Sequence, residues 1–199
     1  YLDKVGPDGL IVQDFGIIRM CQEFFPNLEL HASTQMNIAS AKAANLMGKE
    51  GFQRVVLARE LGLKEIQDIK ANSNVELEVF VHGALCVCYS GQCYLSEHIC
   101  GRSANRGACM QVCRRGYIVK DKESDLELEV DNQYIMSPKD LKTIHFLNHL
   151  LDAGVTVLKI EGRARGAEYV KTIVACYKEA VQAWEAGEYA SETIEQRIT

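Results

Sequence analysis

Short apolar runs alternate with segments of helical periodicity along most of the chain, and this alternation constrains the fold more than any other feature. Runs that are apolar on both faces are typical of buried parallel strands. Parallel neighbours need long crossover connections, which are usually helices. Five such runs occur, at residues 10–12, 28–33, 54–58, 77–82 and 155–160. The pattern therefore predicts an α/β fold with about five β/α units.

The segments between these runs predict helices and a hairpin. Apolar residues recur at helical spacing in segments 15–25, 37–47, 63–71 and 168–186. Ser137 and Pro138 are typical of a helix start, as N-cap and first-turn residue, and Gly154 is typical of its end. The alternation from Leu126 to Val130 predicts a half-exposed strand, within a hairpin that covers residues 117–136.

Two parallel architectures fit this pattern, a doubly wound sheet and part of a (β/α)8 barrel. No Gly-x-Gly-x-x-Gly motif follows a strand, so a dinucleotide-binding sheet is poorly supported. Polar residues instead follow the predicted strands, where the active-site face of a barrel lies. These residues are Gln13, Asp14, His31, Ser33, Gln35, Arg59, Glu60, His82, Lys159, Glu161 and Arg163. We therefore expect a partial (β/α)8, TIM-like barrel.

This interpretation divides the chain into three parts. Residues 1–83 and 137–199 supply β/α units, and residues 84–136 form a Cys-rich insertion with the hairpin. Five units are too few to close an eight-stranded barrel, so we expect upstream strands to be missing or to belong to another chain. With 199 residues, of which 47% are hydrophobic, the chain can bury one substantial core.

Six of the eight cysteines lie between Cys86 and Cys113, in a polar, Gly-rich stretch. Four of them are spaced as Cys86-x6-Cys93-x15-Cys109-x3-Cys113. Cysteines that serve as small buried hydrophobes scatter along core faces, so this concentration favours a metal or iron–sulfur site. Structural zinc usually takes two close cysteine pairs, and here only Cys109 and Cys113 are close, which modestly favours iron–sulfur. Disulfides and redox-labile free thiols stay open as alternatives.

The charge distribution is uneven. A net charge of −5 gives no general attraction for nucleic acid, but the Cys-rich stretch and its flank are basic. The cations there are Arg102, Arg106, Arg114, Arg115, Lys120 and Lys122. Such a patch suits phosphate at one face, although a solvated basic loop has the same composition. No apolar run approaches the length of a membrane span, and we expect a soluble, cytoplasmic protein.

Several segments together resemble the collagenase-like peptidase family, number thirty-two among the peptidases of unknown catalytic type. The matching segments are HASTQ from His31, LARE ending at Glu60, ELEVFVHGALCVCYSGQCYLS from Glu76, GRSANRGAC from Gly101, the Cys113-Arg114 pair, SPKDL from Ser137 and KIEGR from Lys159. Their order is retained over nearly the whole chain. The resemblance is therefore specific.

The resemblance implies a function as well as a fold. The family's name comes from collagen-degrading activity, whereas its better-understood members are iron–sulfur proteins of oxygen-independent hydroxylation, with prephenate as the oxygen source. Their substrates are a transfer-RNA uridine, a ribosomal-RNA cytidine or a ubiquinone precursor. This sequence is most similar to the transfer-RNA group, which makes 5-hydroxyuridine and can include a second subunit of the family. It implies a four-iron, four-sulfur cluster on Cys86, Cys93, Cys109 and Cys113.

Candidate roles follow for the polar residues at the strand ends. The candidate catalytic residues are His31, His82 and Glu161, the last of which more readily orients Arg163 than acts as a base. Two guanidinium groups at a barrel mouth suit a dicarboxylate such as prephenate, or an RNA phosphate. The candidate substrate-binding residues are Gln35, Arg59, Arg114 and Arg163.

Two other functions stay open beside RNA hydroxylation. The first is the peptidase activity in the family's name, although neither a Gly-x-Ser-x-Gly elbow nor a His-Glu-x-x-His helix occurs. A Cys–His pair for that chemistry would have to be assembled from the crowded Cys-rich stretch. The second is a non-enzymatic RNA-binding or assembly protein in which the cluster is a structural staple.

Overall fold

The computed structural model describes residues 2–130 and 135–190, which form helices around a parallel sheet. The strands are β1 (Gly9–Val12), β2 (Glu29–Ala32), β3 (Phe52–Val56), β4 (Glu76–Gly83), β5 (Tyr117–Lys120), β6 (Glu127–Val130), β7 (Leu141–Lys142) and β8 (Val157–Ile160). The helices are α1 (Leu2–Val5), α2 (Phe15–Phe24), α3 (Ala41–Lys49), α4 (Leu63–Ala71), α5 (Leu95–Cys100), α6 (Leu147–Asp152) and α7 (Ala167–Glu185). Single 3-10 turns lie at Thr34–Met36, Ala104–Arg106, Val112–Arg114 and Ile144–Phe146.

The strand order decides between the two architectures. The parallel strands are arranged β1-β2-β3-β4-β8, which is the order in which they follow one another in the sequence. A doubly wound sheet reverses its order at a switch point, and the described strands contain no such reversal. The sheet curls into a half-barrel instead. The predicted α/β fold is therefore confirmed, and β7 adds a short antiparallel pairing at the end of β4.

The core fills the layer between the sheet and its helices. Each strand contributes alternate residues to this layer, because successive side chains of a strand point to opposite faces. Fully buried members include Ala32 on β2, Val55 on β3, Leu77 on β4 and Ile18 on α2. On the concave face, Glu78 of β4 contacts Lys159 of β8 and Arg54 of β3. The half-barrel thus has an apolar convex side and a charged concave side.

The predicted helix start at Ser137 and Pro138 is wrong. Residues 137–140 are not helical, β7 follows them, and α6 begins at Leu147. Tertiary contacts override the local signal because Leu141 and Lys142 pair with β4, and the Thr143 hydroxyl donates to the Val81 carbonyl at 3.0 Å. The predicted end of that helix at Gly154 holds, since Gly154 has a φ of +83° just after α6.

Two further predictions need adjustment. The helix expected at residues 37–47 begins later, at Ala41, because Ser40 caps it by accepting a hydrogen bond from the Ala43 N–H at 3.2 Å. The predicted hairpin is present as β5 paired antiparallel with β6, while residues 131–134 of the predicted segment lie outside the described residues.

Among the described helices, none combines the length and the apolar composition that crossing a bilayer requires.

We expect the Tyr177→Phe variant to be less stable than wild type by about 1 kcal/mol, the usual contribution of a buried hydrogen bond. The buried Tyr177 hydroxyl donates to the Val81 carbonyl at 2.7 Å and accepts from the Thr143 N–H at 3.2 Å. Urea unfolding measures the difference. Tyr94, which is 64% exposed, is the matched control, and Tyr94→Phe should leave the unfolding midpoint unchanged. Equal losses in both variants would contradict this role of Tyr177.

Candidate functional site

A buried serine fastens the Cys-rich segment, residues 84–116, to the end of β3. Ser90 is completely buried. Its backbone N–H donates to Glu60 Oε1 at 2.9 Å, and its hydroxyl lies 3.3 Å from Glu60 Oε2. The Thr34 hydroxyl, just after β2, donates to the same Ser90 oxygen at 3.4 Å. Glu60, one of the polar residues predicted at the strand ends, therefore positions the segment.

The same segment packs directly on the turn after β2. Gly91 has a φ of +75°, and a Cβ at this position would stand 2.3 Å from the carbonyl oxygen of Gln35. The Gln35 side chain donates in turn to the Ala104 carbonyl at 3.4 Å. At the carboxyl ends of the strands, which form the mouth of the half-barrel, Arg163 after β8 also contacts the segment: its Nη1 donates to the Gly107 carbonyl at 3.3 Å. The segment thus lies across the carboxyl ends of the strands, which is where sequence analysis expected the site.

A carboxylate between two arginines makes the third attachment. Asp140 accepts hydrogen bonds from Arg114 through one oxygen and from Arg165 through the other, the latter at 2.6 Å. Arg114 also donates to the carbonyls of Leu85 and Pro138, both at 3.5 Å. Burial by itself raises the pKa of Asp140, but the two guanidinium groups outweigh burial and hold that pKa below its usual value. Arg114, predicted to bind substrate, is thus engaged in positioning Cys113.

The four cysteines of the predicted cluster lie within electrostatic range of one another. Desolvation raises the pKa of the Cys86 thiol, and Cys109 and Cys93 raise it further, while the adjacent Arg59 guanidinium lowers it. Desolvation likewise raises the pKa of the Cys113 thiol, with further contributions from the other three cysteines. Like charges placed this close repel unless a cation compensates them. The four thiols therefore lie in one region of the Cys-rich segment, although they are far apart in sequence.

The donor set suits an iron–sulfur cluster in its chemistry. Cys109 Sγ accepts a hydrogen bond from the Gln111 N–H at 3.4 Å and a weaker one from the Ser96 hydroxyl at 3.9 Å. Hydrogen bonds to sulfur are among the means by which proteins tune such clusters. Within residues 2–130 and 135–190, however, no three His, Cys, Asp or Glu side chains are arranged so that they could hold a metal ion. A cluster at this place therefore stays a prediction.

Two cations flank an aromatic ring on the concave face. The Arg59 guanidinium lies 5.2 Å from the centroid of the Phe80 ring, and Lys159 Nζ lies 5.4 Å from it. Lys159 also donates to Glu78 Oε1 at 2.6 Å, whereas the buried Arg59 Nε has no hydrogen-bond partner among the described residues. Arg54 stands 3.8 Å from the second Glu78 oxygen. Arg59 itself lies beside the Cys86 thiol and is hydrogen-bonded to it.

His82 faces helix α7. Its Nε2 lies 3.0 Å from the Tyr169 hydroxyl, and its Nδ1 lies 3.4 Å from the Tyr177 hydroxyl. Burial lowers the pKa of His82, and nearby Lys142 and Arg165 lower it further against the opposing charge of Asp140. A register shift in β4 between Phe80 and His82 accompanies this orientation. The ring is therefore neutral at pH 7 and is held by two tyrosines.

Of the other two candidate catalytic residues, Glu161 lies at the carboxyl ends of the strands and His31 does not. The His31 ring packs over Gly9, where a Cβ would stand 2.9 Å from it, and its Nε2 lies 3.4 Å from Glu29 Oε2. His31 therefore contacts the first residues of β1 and β2. Glu161 lies at the mouth, where its carboxylate accepts the Arg163 N–H at 3.0 Å. The structure groups Glu161 with the substrate-binding candidates and leaves His31 apart.

Several residues of the site carried no clear signal in the sequence. Ser90 and Asp140 lie inside the segments that resemble the family, yet their roles depend on partners distant in the chain. Phe80 resembles any other apolar residue of a buried strand. Tyr169 and Tyr177 are spaced by eight residues on α7, a spacing that predicts a shared helix face without naming its partner.

Comparison with known proteins gives a consistent result. The model of Peptidase family U32 matches residues 1–199. A protein named collagenase from Porphyromonas gingivalis W83 is 50% identical over 96% of this chain and 48% of its own length. The tRNA hydroxylation protein P1 of Bacillus subtilis is 42% identical over 88% of this chain and 43% of its own. The 23S rRNA 5-hydroxycytidine C2501 synthase of Escherichia coli is 44% identical over 92% and 27%. The chain thus spans about half, or less, of these relatives.

We expect Gly91→Ala to destabilise the protein by about 1–3 kcal/mol more than Gly101→Ala, the usual cost of forced overpacking. Both glycines have positive φ, at +75° and +63°, so alanine is strained in both variants. At Gly91 the added methyl group also meets the Gln35 carbonyl, whereas nothing lies within 4 Å at Gly101. Urea unfolding and the rate of thiol modification measure the effect. Equal behaviour would show that the segment does not pack on Gln35.

We expect Asp140→Asn to lower stability at pH 7 by about 2 kcal/mol, as for loss of a hydrogen bond to charged groups. Because the folded pKa of Asp140 is depressed, its carboxylate contributes fully above its unfolded pKa of about 3.9. That contribution is lost as pH falls through the lower folded pKa. The difference between the urea midpoints of the two proteins should therefore stay constant down to about pH 4 and begin to shrink as the pH falls toward 3. The exposed Lys120–Glu127 pair provides the control, and Glu127→Gln should change little.

Proposed function

The chain belongs to peptidase family U32, and from this membership we propose that it acts as an RNA-hydroxylating enzyme that converts a transfer-RNA uridine to 5-hydroxyuridine. The relatives named for tRNA hydroxylation and for 5-hydroxycytidine synthesis in 23S rRNA support this activity. The observation that carries the proposal is that Cys86 lies beside Arg59 and within electrostatic range of Cys93, Cys109 and Cys113. The half-barrel would be part of a (β/α)8 barrel, in a cytoplasmic protein that can act with a second subunit of the family.

The cluster proposal assigns Cys86, Cys93, Cys109 and Cys113 as ligands of a four-iron, four-sulfur group. When bound, such a cluster supplies electron transfer at the mouth of the half-barrel. Desolvation raises the pKa of the Cys86 thiol, and the adjacent Arg59 guanidinium partly offsets this increase. Arg114 and Asp140 hold the Cys113 turn against the sheet. These residues thus prepare sulfur ligands and restrict their movement.

Substrate binding is proposed for the cations around the same mouth. The half-buried Arg59 and the exposed Arg163 can meet the two carboxylates of prephenate, the proposed co-substrate. Arg102 and Arg106, both exposed on the Cys-rich segment, can meet RNA phosphates. Gln35 fixes the segment that carries them. His82, neutral and bound by two tyrosines, would keep the end of β4 in place while substrate binds.

A collagenase-like peptidase is the second candidate, because a relative named collagenase is 50% identical. The geometry of the site favours peptidase activity less than RNA hydroxylation. A cysteine nucleophile needs a nearby base, and His82, which is close in sequence to Cys86, contacts Tyr169 and Tyr177 instead. Cys86 has an arginine as its neighbour. Cleavage of denatured collagen by the purified full-length protein, together with unchanged RNA in a deletion strain, would favour this candidate.

Nucleoside mass spectrometry tests the hydroxylase proposal. Transfer RNA from a strain that lacks the gene should have lost 5-hydroxyuridine, and the full-length wild-type gene should restore it. The Cys86→Ser and Cys113→Ser genes should not, since each removes a proposed ligand. Cys100→Ser is the matched control, because Cys100 lies on α5 of the same segment, outside the four-cysteine set. Iron content of the same proteins, purified without oxygen, should fall in the first two variants and stay in the third. An unchanged 5-hydroxyuridine content of transfer RNA in the deletion strain would contradict the assignment of transfer RNA as the substrate.

A further inference from the structure

Cys88 is a thiol that the four-cysteine set does not use, although it lies between two of its members. We propose that Cys88 forms a reversible disulfide with Cys93, and that this bond withdraws Cys93 from cluster binding. The second half of the proposal rests on the proposed function, in which Cys93 is a ligand. The disulfide itself depends only on the geometry of this chain.

A β-turn separates the two cysteines. The turn spans Tyr89–Gln92, and the Gln92 N–H donates to the Tyr89 carbonyl at 3.1 Å. Such a turn brings its first and fourth Cα atoms within about 7 Å. Cys88 and Cys93 immediately flank this turn, and a disulfide between them requires a Cα separation of about 4.4–6.8 Å. In keeping with this, Cys93 is the thiol that acts most strongly on Cys88, by charge and by hydrogen bonding.

Contacts of Ser90 and Gly91 hold the turn in place and restrict its rearrangement. Ser90 is completely buried and bound to Glu60, while Gly91 lies against the Gln35 backbone. Both attachments lie within the four residues that separate the cysteines. The fold therefore fixes the pair without help from a bound metal. Both cysteines are partly exposed, so a small oxidant can reach them.

The chemistry is an ordinary thiol–disulfide exchange. A low-molecular-weight disulfide, such as oxidised glutathione, forms a mixed disulfide with one cysteine and releases one reduced thiol. The second cysteine then attacks the mixed disulfide, a sulfur–sulfur bond forms between Cys88 and Cys93, and the second reduced thiol leaves. The two protein thiols lose two electrons and two protons, which the oxidant takes up. A sulfur in this bond cannot serve as a thiolate ligand, so disulfide formation and cluster binding exclude each other.

Peptide mapping tests the disulfide. The full-length protein, freed of iron by a chelator, is treated with oxidised glutathione, its free thiols are alkylated, and it is digested with chymotrypsin. Cleavage after Tyr89 separates Cys88 from Cys93, so their disulfide would join two peptides. We expect this linked product in wild type and in the Cys100→Ser control, and its loss in Cys88→Ser. A link that persists in Cys88→Ser would come from Cys86, and it would overturn the proposal, as would the absence of any link in wild type.

Iron uptake from ferrous iron and sulfide tests the consequence. Oxidised wild type should take up iron only after a reductant is added, whereas Cys88→Ser, given the same oxidant, should take up iron at once. Equal sensitivity of both proteins would overturn the withdrawal of Cys93. If no form of the protein binds iron while the linked peptide still depends on Cys88, the cluster proposal fails and the disulfide stands.

Discussion

The attachment of the Cys-rich segment to the strand ends depends on one buried hydroxyl and one carboxylate. Ser90 is completely buried, so its backbone N–H and its hydroxyl both need hydrogen-bond partners within the protein. The Glu60 carboxylate accepts a hydrogen bond from each. Because Glu60 lies shortly after the end of β3, this pairing helps to fix the position of a long, Gly-rich segment at the strand ends.

A second line of polar contacts joins the same segment to helix α7. Asp140 binds Arg114 on one side and Arg165 on the other, and Arg165 lies over the Tyr169 ring at 5.2 Å. Tyr169 contacts His82 at the end of β4. Partly buried ion pairs are weak contributors to stability but restrict geometry. The last cysteine of the set is thereby aligned with the sheet from which the candidate substrate-binding residues project.

The charge of the mouth follows from this arrangement. Lys159 pairs with Glu78 and Arg114 pairs with Asp140, whereas the buried Nε of Arg59 has no hydrogen-bond partner among the described residues. Arg59 also lies beside Cys86, so one guanidinium group would act on both a sulfur ligand and an anionic substrate. Under the proposed function, such a site would bring the iron–sulfur cluster and an anionic substrate to neighbouring positions. Such proximity is what a hydroxylation that takes its oxygen from an organic acid would need.

By itself, the sequence determined the β/α alternation, the approximate strand limits and the concentration of cysteines, because these depend on periodicity and spacing within short segments. It also indicated that Gln35, Arg59, Glu161 and Arg163 follow strands that end on one side of the sheet. Only the tertiary structure decided that His82 turns toward α7, that His31 leans toward Gly9, and that Asp140 binds two arginines and starts no helix. Each of these depends on partners distant in the chain, such as His82 and Tyr169, 87 residues apart. Local propensity carries no information about such contacts, since they exist only once the sheet has brought its helices and loops together.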